Sequence, residues 1–513
     1  MDSRRLAAIG TTVAFGLPVA ISLWAAFLGI TTRGLWQDEL YTGWTVDPTI
    51  GLGGVIERAI RDVNTPLYYF LLWPFVRIWG ADEMGLRLFS ALCAVAAVGL
   101  FVLGGRPFFS LRARLFAAAM ATGSSFWFTQ AQNARSYGLG MLVGTALLLL
   151  ALAALARPHV SRATHWLFAT MALASFIHFY LFFLSMAVLA VLFVLRPQQR
   201  VAAVACGCAL LISVLLYLDL VISTFSHFST DENWIPNDPA WYAFQLRTVL
   251  RETLTKMAML ALAICLLPAA LGLAKRRRPA ATSDDKRGIL LCVTVPLLVV
   301  AAGAAGSLLV APNFHSRYLL VSSPFIWGLF AFCYDRSMPQ APPSWRLGLD
   351  LLLAATLLWM AGTMAANRTK SSVEPFRETA AWIAAIPGCR GQEIPAVVTE
   401  QRRWFRSDAG LEPIRAGYEW YLGSFAPVRP LYLEDILDGK IPENIKQALT
   451  RRIDGDGCPV LAWVVHGGTR EIAASIGKAI LAATDRAARA PDLELIVLRT
   501  GLEGYILAMR RSL

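Results

Sequence analysis

The sequence predicts a polytopic α-helical membrane protein with about eleven transmembrane helices, followed by a C-terminal soluble α/β domain outside the membrane. Three observations carry this expectation. Of 513 residues, 56% are apolar and only 16% are charged, with a mean hydropathy of +0.52, an apolar excess beyond that of soluble domains. Many charge-free runs are long enough to cross a hydrocarbon core of about 30 Å. The basic residues gather in alternate connections. Such a composition excludes a disordered chain, a disulfide-dense secreted module and a cytosolic enzyme. The 47 Lys and Arg against 35 Asp and Glu, a net +12, read as topology signals rather than as a nucleic-acid footprint.

Residues 6–30 form the first charge-free run. It is too long for a signal-peptide core and no small-residue cleavage site follows it, so it reads as a retained span whose start Arg4 and Arg5 hold in the cytoplasm. Residues 31–87 then form the first exterior loop with interfacial helices. Within it, 66–79 is only about 21 Å long as a helix and reads as lying in the outer interface. Further runs occupy 88–105, 115–128, 137–156, 166–195, 201–218, 257–274, 289–310, 318–333 and 351–366. Run 166–195 would measure about 45 Å as one helix, so it reads as two short spans turning near His178. The count is then eleven. With that parity the basic connections 106–114, 157–162, 196–200, 275–287 and 336–346 all fall on the cytoplasmic side. Residues 31–64, 130–136, the turn at His178, 223–246, 312–317 and everything after Asn367 fall outside.

The chain accordingly divides into a membrane module, 1–366, and an exterior domain, 367–513. In the latter, strand-like runs at 396–399 and 460–465, a hairpin at 493–509 and a helical pattern at 471–489 predict a small α/β fold. Six of eight cysteines lie in spans, where the residue serves as a small apolar packer. Cys389 and Cys458 are the two in the tail, and an oxidising exterior favours joining them in a disulfide.

No G-x-x-x-x-G-K-[ST] loop and no strand-borne G-x-G-x-x-G turn is present, so the usual nucleotide cradles are missing. An enzyme working outside the membrane would need a donor carried by the lipid. The adjacent Asp38 and Glu39 follow the first span. They read either as a general base for an incoming hydroxyl or as a solvated acidic pair capping an interfacial helix. Arg135 and Arg317 sit at exterior turns, against the positive-inside tendency. They read either as forked donors to a phosphate or as side chains snorkelling to headgroups. His178 is either a functional intramembrane group or a structural histidine at a turn. Residues 223–246, with Asp231, Glu232, Trp234, Trp241 and Tyr242, read as an amphipathic lid over a lipid or sugar, or as an interfacial anchor. No metal-ligand spacing is present and no cofactor is expected, although the acidic pair leaves a divalent ion open.

Five segments in order resemble the GT-C glycosyltransferases, in the branch of protein O-mannosyltransferases and lipid A aminoarabinose transferases. They are Trp36-Gln37-Asp38-Glu39; Asn64-Thr65-Pro66-Leu67-Tyr68-Tyr69 leading to Arg87-Leu88-Phe89-Ser90-Ala91; Gln130-Ala131-Gln132-Asn133-Ala134-Arg135-Ser136-Tyr137; His178-Phe179-Tyr180; and Arg317-Tyr318-Leu319-Leu320. The resemblance implies a polyprenyl-phosphate-linked sugar as donor and Asp38 as catalytic base, with Glu39 as its neighbour. It implies a hydroxyl acceptor on a glycolipid, polysaccharide or protein of the cell envelope. Members often carry a basic residue or His before the Pro-Leu-Tyr-Tyr segment, where this chain has Asn64-Thr65, so donor-phosphate binding is assigned to Arg135 and Arg317. Asn64, Tyr68, Tyr137, His178, His315 and Tyr318 are the remaining candidate substrate-site residues. The competing readings are a lipid or sugar transporter, which would show paired repeats and midplane charges, and a polymerase or ligase using diphosphate-linked oligosaccharides.

Overall fold

The computed structural model describes residues 3–60, 65–216, 235–271, 282–310, 312–367, 374–398, 408–447, 457–465, 469–483, 493–500 and 504–511. The membrane part consists of α1 (Ser3–Ala25), α2 (Gln37–Thr45), α3 (Leu52–Ile60), α4 (Leu67–Trp79), α5 (Glu83–Gly104), α6 (Leu111–Thr122), α7 (Ser125–Ala131) and α8 (Tyr137–Leu155). It continues with α9 (Arg162–Ala174), α10 (Phe179–Leu195), α11 (Arg200–Leu216), α12 (Pro239–Thr253), α13 (Lys256–Ala270), α14 (Ser283–Leu309), α15 (Ser323–Ser337) and α16 (Pro343–Asn367).

Among the described residues six helical segments are long and apolar enough to cross a membrane: α5, α8, Pro197–Leu215, α14, Ser316–Gln340 and α16. The pair α12 and α13, bent by 66° at a short break, makes a seventh if it acts as one span. The apolar run 166–195 is broken between Ala174 and Phe179, so α9 and α10 are separate helices that pack on each other. Run 115–128 departs from expectation. It breaks at Gly123-Ser124, where the Ser124 hydroxyl accepts the Trp127 amide and starts α7 anew. A methyl group at Gly123 would lie 2.8 Å from the Met360 side chain, so α16 packs closely at the break. Residues 31–60, expected as loop with interfacial helices, contain α2 and α3.

The basic connections meet at one end of the bundle. Asp335 accepts from the Ser110 amide at 2.9 Å, Arg112 pairs with Asp350 at 3.0 Å, Arg336 pairs with Asp285, Arg196 pairs with Asp284 at 3.4 Å, and Gln199 donates to the Arg157 carbonyl at 2.9 Å. Of connection 275–287, residues 275–281 lie outside the described residues. Turns at the opposite end converge on α2, as the site below shows.

The C-terminal part is a five-stranded sheet in the order β2-β1-β3-β5-β4, formed by β1 (Ile394–Val398), β2 (Val428–Tyr432), β3 (Val460–Val464), β4 (Leu493–Arg499) and β5 (Tyr505–Arg511). The pairs β1–β2 and β1–β3 are parallel, while β3–β5 and β4–β5 are antiparallel. Helices α17 (Phe376–Ala384), α18 (Asp408–Leu422), α19 (Leu433–Leu437) and α20 (Arg470–Ala483) accompany it. Strands β1 and β3 are buried along their whole length, as central strands covered on both faces must be. Edge strand β2 carries Pro430, which an edge tolerates because one side of the strand needs no donor. Cys389 and Cys458 are joined in a disulfide with Cα atoms 4.3 Å apart. Helix α18 connects the two parts, packing against α2, α17 and β2.

Candidate functional site

Helix α2 begins with an extended Trp36, and the Glu39 carboxylate reaches back to the Trp36 amide at 3.3 Å. Glu39 also accepts from the Ala134 amide at 2.9 Å and from Arg87 Nε at 2.9 Å. Arg87 Nη2 completes a forked pair with it. Both side chains are almost wholly buried, at 3% and 2% exposure. The remaining Arg87 donors go to the carbonyls of Ile30, Arg33 and Gly34 at 2.7–2.9 Å. Glu39 is therefore turned into the protein, where it fastens α2 to α5.

Asp38, one residue earlier, projects about 100° away around the helix. Its side chain is 29% exposed, and its carboxylate lies 3.4 Å from Arg317 Nη1, looser than the roughly 2.7–2.9 Å of a tight charge-assisted contact. The Arg317 guanidinium also sits over the rings of Trp36 and Tyr318, 5.3 and 5.6 Å from their centroids. Arg135, buried, approaches from the α7–α8 turn. Its Nη1 lies 3.1 Å from the Tyr69 hydroxyl, 3.4 Å from the Thr42 hydroxyl and 3.5 Å from the Asp38 carbonyl. Two guanidiniums from turns far apart in sequence thus meet Asp38, Arg317 at its partly exposed carboxylate and Arg135 at its backbone carbonyl. The residual positive charge suits an anion beside a proton acceptor.

The walls are aromatic. His178 lies 5.2 Å from Tyr318 and 6.3 Å from Tyr137, ring centre to ring centre, and His315 lies 5.8 Å from Tyr318 and 6.1 Å from Trp241. Trp241 in α12 donates to the Phe314 carbonyl at 2.8 Å, and Gln245 accepts the Ser316 amide at 2.8 Å, so α12 fixes the Arg317 turn. Trp36 donates its indole N–H to Asn133 at 3.2 Å, which links α2 to the Arg135 turn. The Leu67 amide donates to the Phe176 carbonyl at 3.0 Å, tying α4 to the His178 turn.

Burial, followed by nearby guanidiniums, pushes both histidines down to about 3. They are neutral at pH 7. His178 Nδ1 accepts the Tyr180 amide at 3.1 Å, which assigns its proton to Nε2, an atom with no hydrogen-bond partner among the described residues. The unfolded chain takes up protons near the ordinary value of 6.5, which the folded histidines refuse until about 3. The sign is therefore loss of stability as pH falls through 6.5, with full benefit above it. Thermal unfolding in detergent should show a declining midpoint from pH 7 to pH 5, and replacing His315 with Gln should flatten that slope.

Of the residues singled out from sequence, Asp38, Arg135, Tyr137, His178, His315, Arg317 and Tyr318 come together here. Tyr68 stands behind them, its hydroxyl 3.4 Å from Ser90, which in turn donates to the Arg135 carbonyl at 3.2 Å. Asn64, Asp231, Glu232 and Trp234 lie outside the described residues. Glu39, next to Asp38 in sequence, faces Arg87. Tyr69 and Arg87 belong to the segments that carry the resemblance but had been given no role, and Thr42 was not singled out. Thr42 follows Asp38 by four residues and so shares its helix face, a signal the spacing did contain. Among the described residues no group of three or more His, Cys, Asp or Glu gathers to hold a metal.

No protein-family model and no curated protein matches this chain. Among solved structures it is similar to ArnT from Cupriavidus metallidurans in the apo state, with a TM-score of 0.55 and 15% identity over 98% of each chain. It is also similar to the same protein bound to undecaprenyl phosphate, with a TM-score of 0.53 and 13% identity over 96% of this chain and 97% of that one. These likenesses show that the chain shares the fold of ArnT along nearly its whole length.

Proposed function

We propose that this chain is a membrane glycosyltransferase that moves a sugar from a polyprenyl-phosphate donor to an acceptor hydroxyl at the outer face of the cytoplasmic membrane. The observation that supports this best is the meeting of Arg135 and Arg317 at Asp38. In this reading Asp38 takes the proton from the acceptor hydroxyl as that oxygen attacks the anomeric carbon. The bond to the phosphate oxygen breaks in the same displacement, and the sugar inverts. Charge growing on the departing polyprenyl phosphate is met by the two guanidiniums, which stabilise it where it develops. The loose Asp38–Arg317 contact lets Arg317 turn to phosphate at small cost. No separate acid is needed, because a phosphate monoester is already a good leaving group. The ArnT structure with undecaprenyl phosphate supports a polyprenyl phosphate as the lipid carrier. Transfer assays with polyprenyl-monophosphate sugars, run beside diphosphate-linked oligosaccharides, test the reading. Use of the diphosphate donors alone would replace it with a polymerase or ligase.

Arg135→Ala and Arg317→Ala should each weaken undecaprenyl phosphate binding by about 1.5–3 kcal/mol, the worth of a hydrogen bond to a charged group at a partly desolvated site. Lysine at either position should restore only part, since it lacks the forked geometry. Titration curves equal to the parent's would reduce both arginines to headgroup anchors.

The same reading makes residues 1–366 the catalytic membrane module and 367–513 an exterior, periplasmic or extracellular domain, with a cytoplasmic N-terminus. A cysteine placed at exposed Ser475 should react with an impermeant maleimide in intact cells, and one at exposed Ser283 should not. The opposite labelling would put the site on the cytoplasmic side.

A further inference from the structure

Residues 31–37, which lead into α2, are held by several side chains from elsewhere. Arg377 of α17 donates to the carbonyls of Thr31 and Thr32 at 2.7 and 2.5 Å, and Arg87 takes those of Arg33 and Gly34. The Tyr421 hydroxyl of α18 accepts the Leu35 amide at 2.6 Å and donates to Glu83 at 2.6 Å. Glu374 accepts the Gln37 amide at 2.7 Å. Arg377 pairs with the same Glu83 at 2.9 Å, so loop, α5 and C-terminal part share one junction. The approach is close. A methyl group at Gly43 of α2 would lie 2.7 Å from the Trp420 ring.

We propose that Tyr421 and Glu374 of the C-terminal α/β part are positioning residues for Asp38, acting through the Leu35 and Gln37 amides that open the first turn of α2. The proposal rests on Asp38 as the base. The N-terminal amides of a helix have no partner within it. Here that of Gln37, and the Leu35 amide just before the helix, are satisfied by groups more than 330 residues away in sequence. Glu374 places its negative charge where the helix dipole favours it. Because the donors of α2 are shared with the C-terminal part, a shift of that part relative to α5 moves the Asp38 carboxylate against Arg317. Tyr421 performs two roles with one oxygen, accepting from Leu35 and donating to Glu83, and phenylalanine can do neither.

Hydrogen exchange read in the full-length protein tests the positioning without any chemistry. Tyr421→Phe and Glu374→Ala should each speed exchange across residues 33–41 by about tenfold, the loss of one partly buried hydrogen bond. Glu374→Gln should restore slow exchange because its amide oxygen still accepts. Undecaprenyl phosphate should bind within about twofold of the parent. Glycoconjugate formation in a deletion strain complemented with Tyr421→Phe should fall about tenfold or more, as expected when a reacting group is displaced by a fraction of an ångström. In the Asp38→Asn background Tyr421→Phe should add no further loss. Unchanged exchange in Tyr421→Phe and Glu374→Ala would overturn the proposal, as would faster exchange with full glycoconjugate formation. A failure of the base assignment itself is read separately, from Asp38→Asn alone.

Discussion

Asp38→Asn should lower sugar transfer by about 10²–10⁴-fold, the usual contribution of a positioned general base, while the protein stays folded and binds lipid phosphate. The substitution keeps shape and hydrogen-bonding reach but removes the ability to take a proton. Folding should be largely spared because the carboxylate is partly exposed, its contact with Arg317 is loose, and an asparagine side-chain oxygen can still accept from that guanidinium. Undecaprenyl phosphate should bind equally or more tightly, since a negative charge beside the phosphate is gone. Transfer by purified protein, lipid titration and thermal unfolding check the three parts separately. Parental transfer rates would remove Asp38 from the chemistry, and loss of lipid binding alongside transfer would make it a structural residue instead.

The helical character of the membrane part was legible because charge-free runs are visible without any tertiary information. The break between Ala174 and Phe179 followed from length alone, since no bilayer accommodates a 30-residue helix without strong tilt. The break at Gly123-Ser124 was not legible. Glycine and serine are compatible with a span, and the boundary shows only where the Ser124 hydroxyl caps α7 and Met360 of α16 packs against Gly123. In the C-terminal part β1, β3 and the β4–β5 hairpin announced themselves as apolar runs, whereas β2, of the same length as β1 and β3, carries Arg429 and Pro430 and is only partly buried. The same contrast holds in the site. Arg135 and Arg317 stood out as basic residues in connections where the positive-inside tendency disfavours them, and Asp38 as half of an acidic pair just past the first span. The roles of Glu39, Tyr421 and Glu374 did not, because each is defined by a partner on another element: Arg87 is 48 residues from Glu39, and Tyr421 is 386 from Leu35. Charge in an unfavourable place is a local signal; what neutralises it is a property of the fold.

Glu39 and Arg87 make the sharpest contrast with Asp38, since adjacent acidic residues in sequence should behave in opposite ways. Glu39→Ala or Arg87→Met leaves one charge buried without its counter-ion, which costs about 3–5 kcal/mol, enough to exhaust a large part of the stability of an ordinary domain. Both variants should show lower abundance in the membrane and a lower unfolding temperature, with transfer per folded molecule retained in proportion. Glu39→Gln should also destabilise, because the amide keeps the shape but leaves Arg87 without a negative partner. The double variant should not recover as a simple ion pair would. Arg87 also serves the carbonyls of Ile30, Arg33 and Gly34, and these lose their donors when the guanidinium is removed, at a further cost for each buried acceptor left unmade. Abundance and unfolding temperature measured beside transfer separate the two acidic residues. A Glu39→Gln protein as stable as the parent but inactive would move the proton acceptor from Asp38 to Glu39, and would require the Arg87 pair to open before the acceptor hydroxyl could reach it.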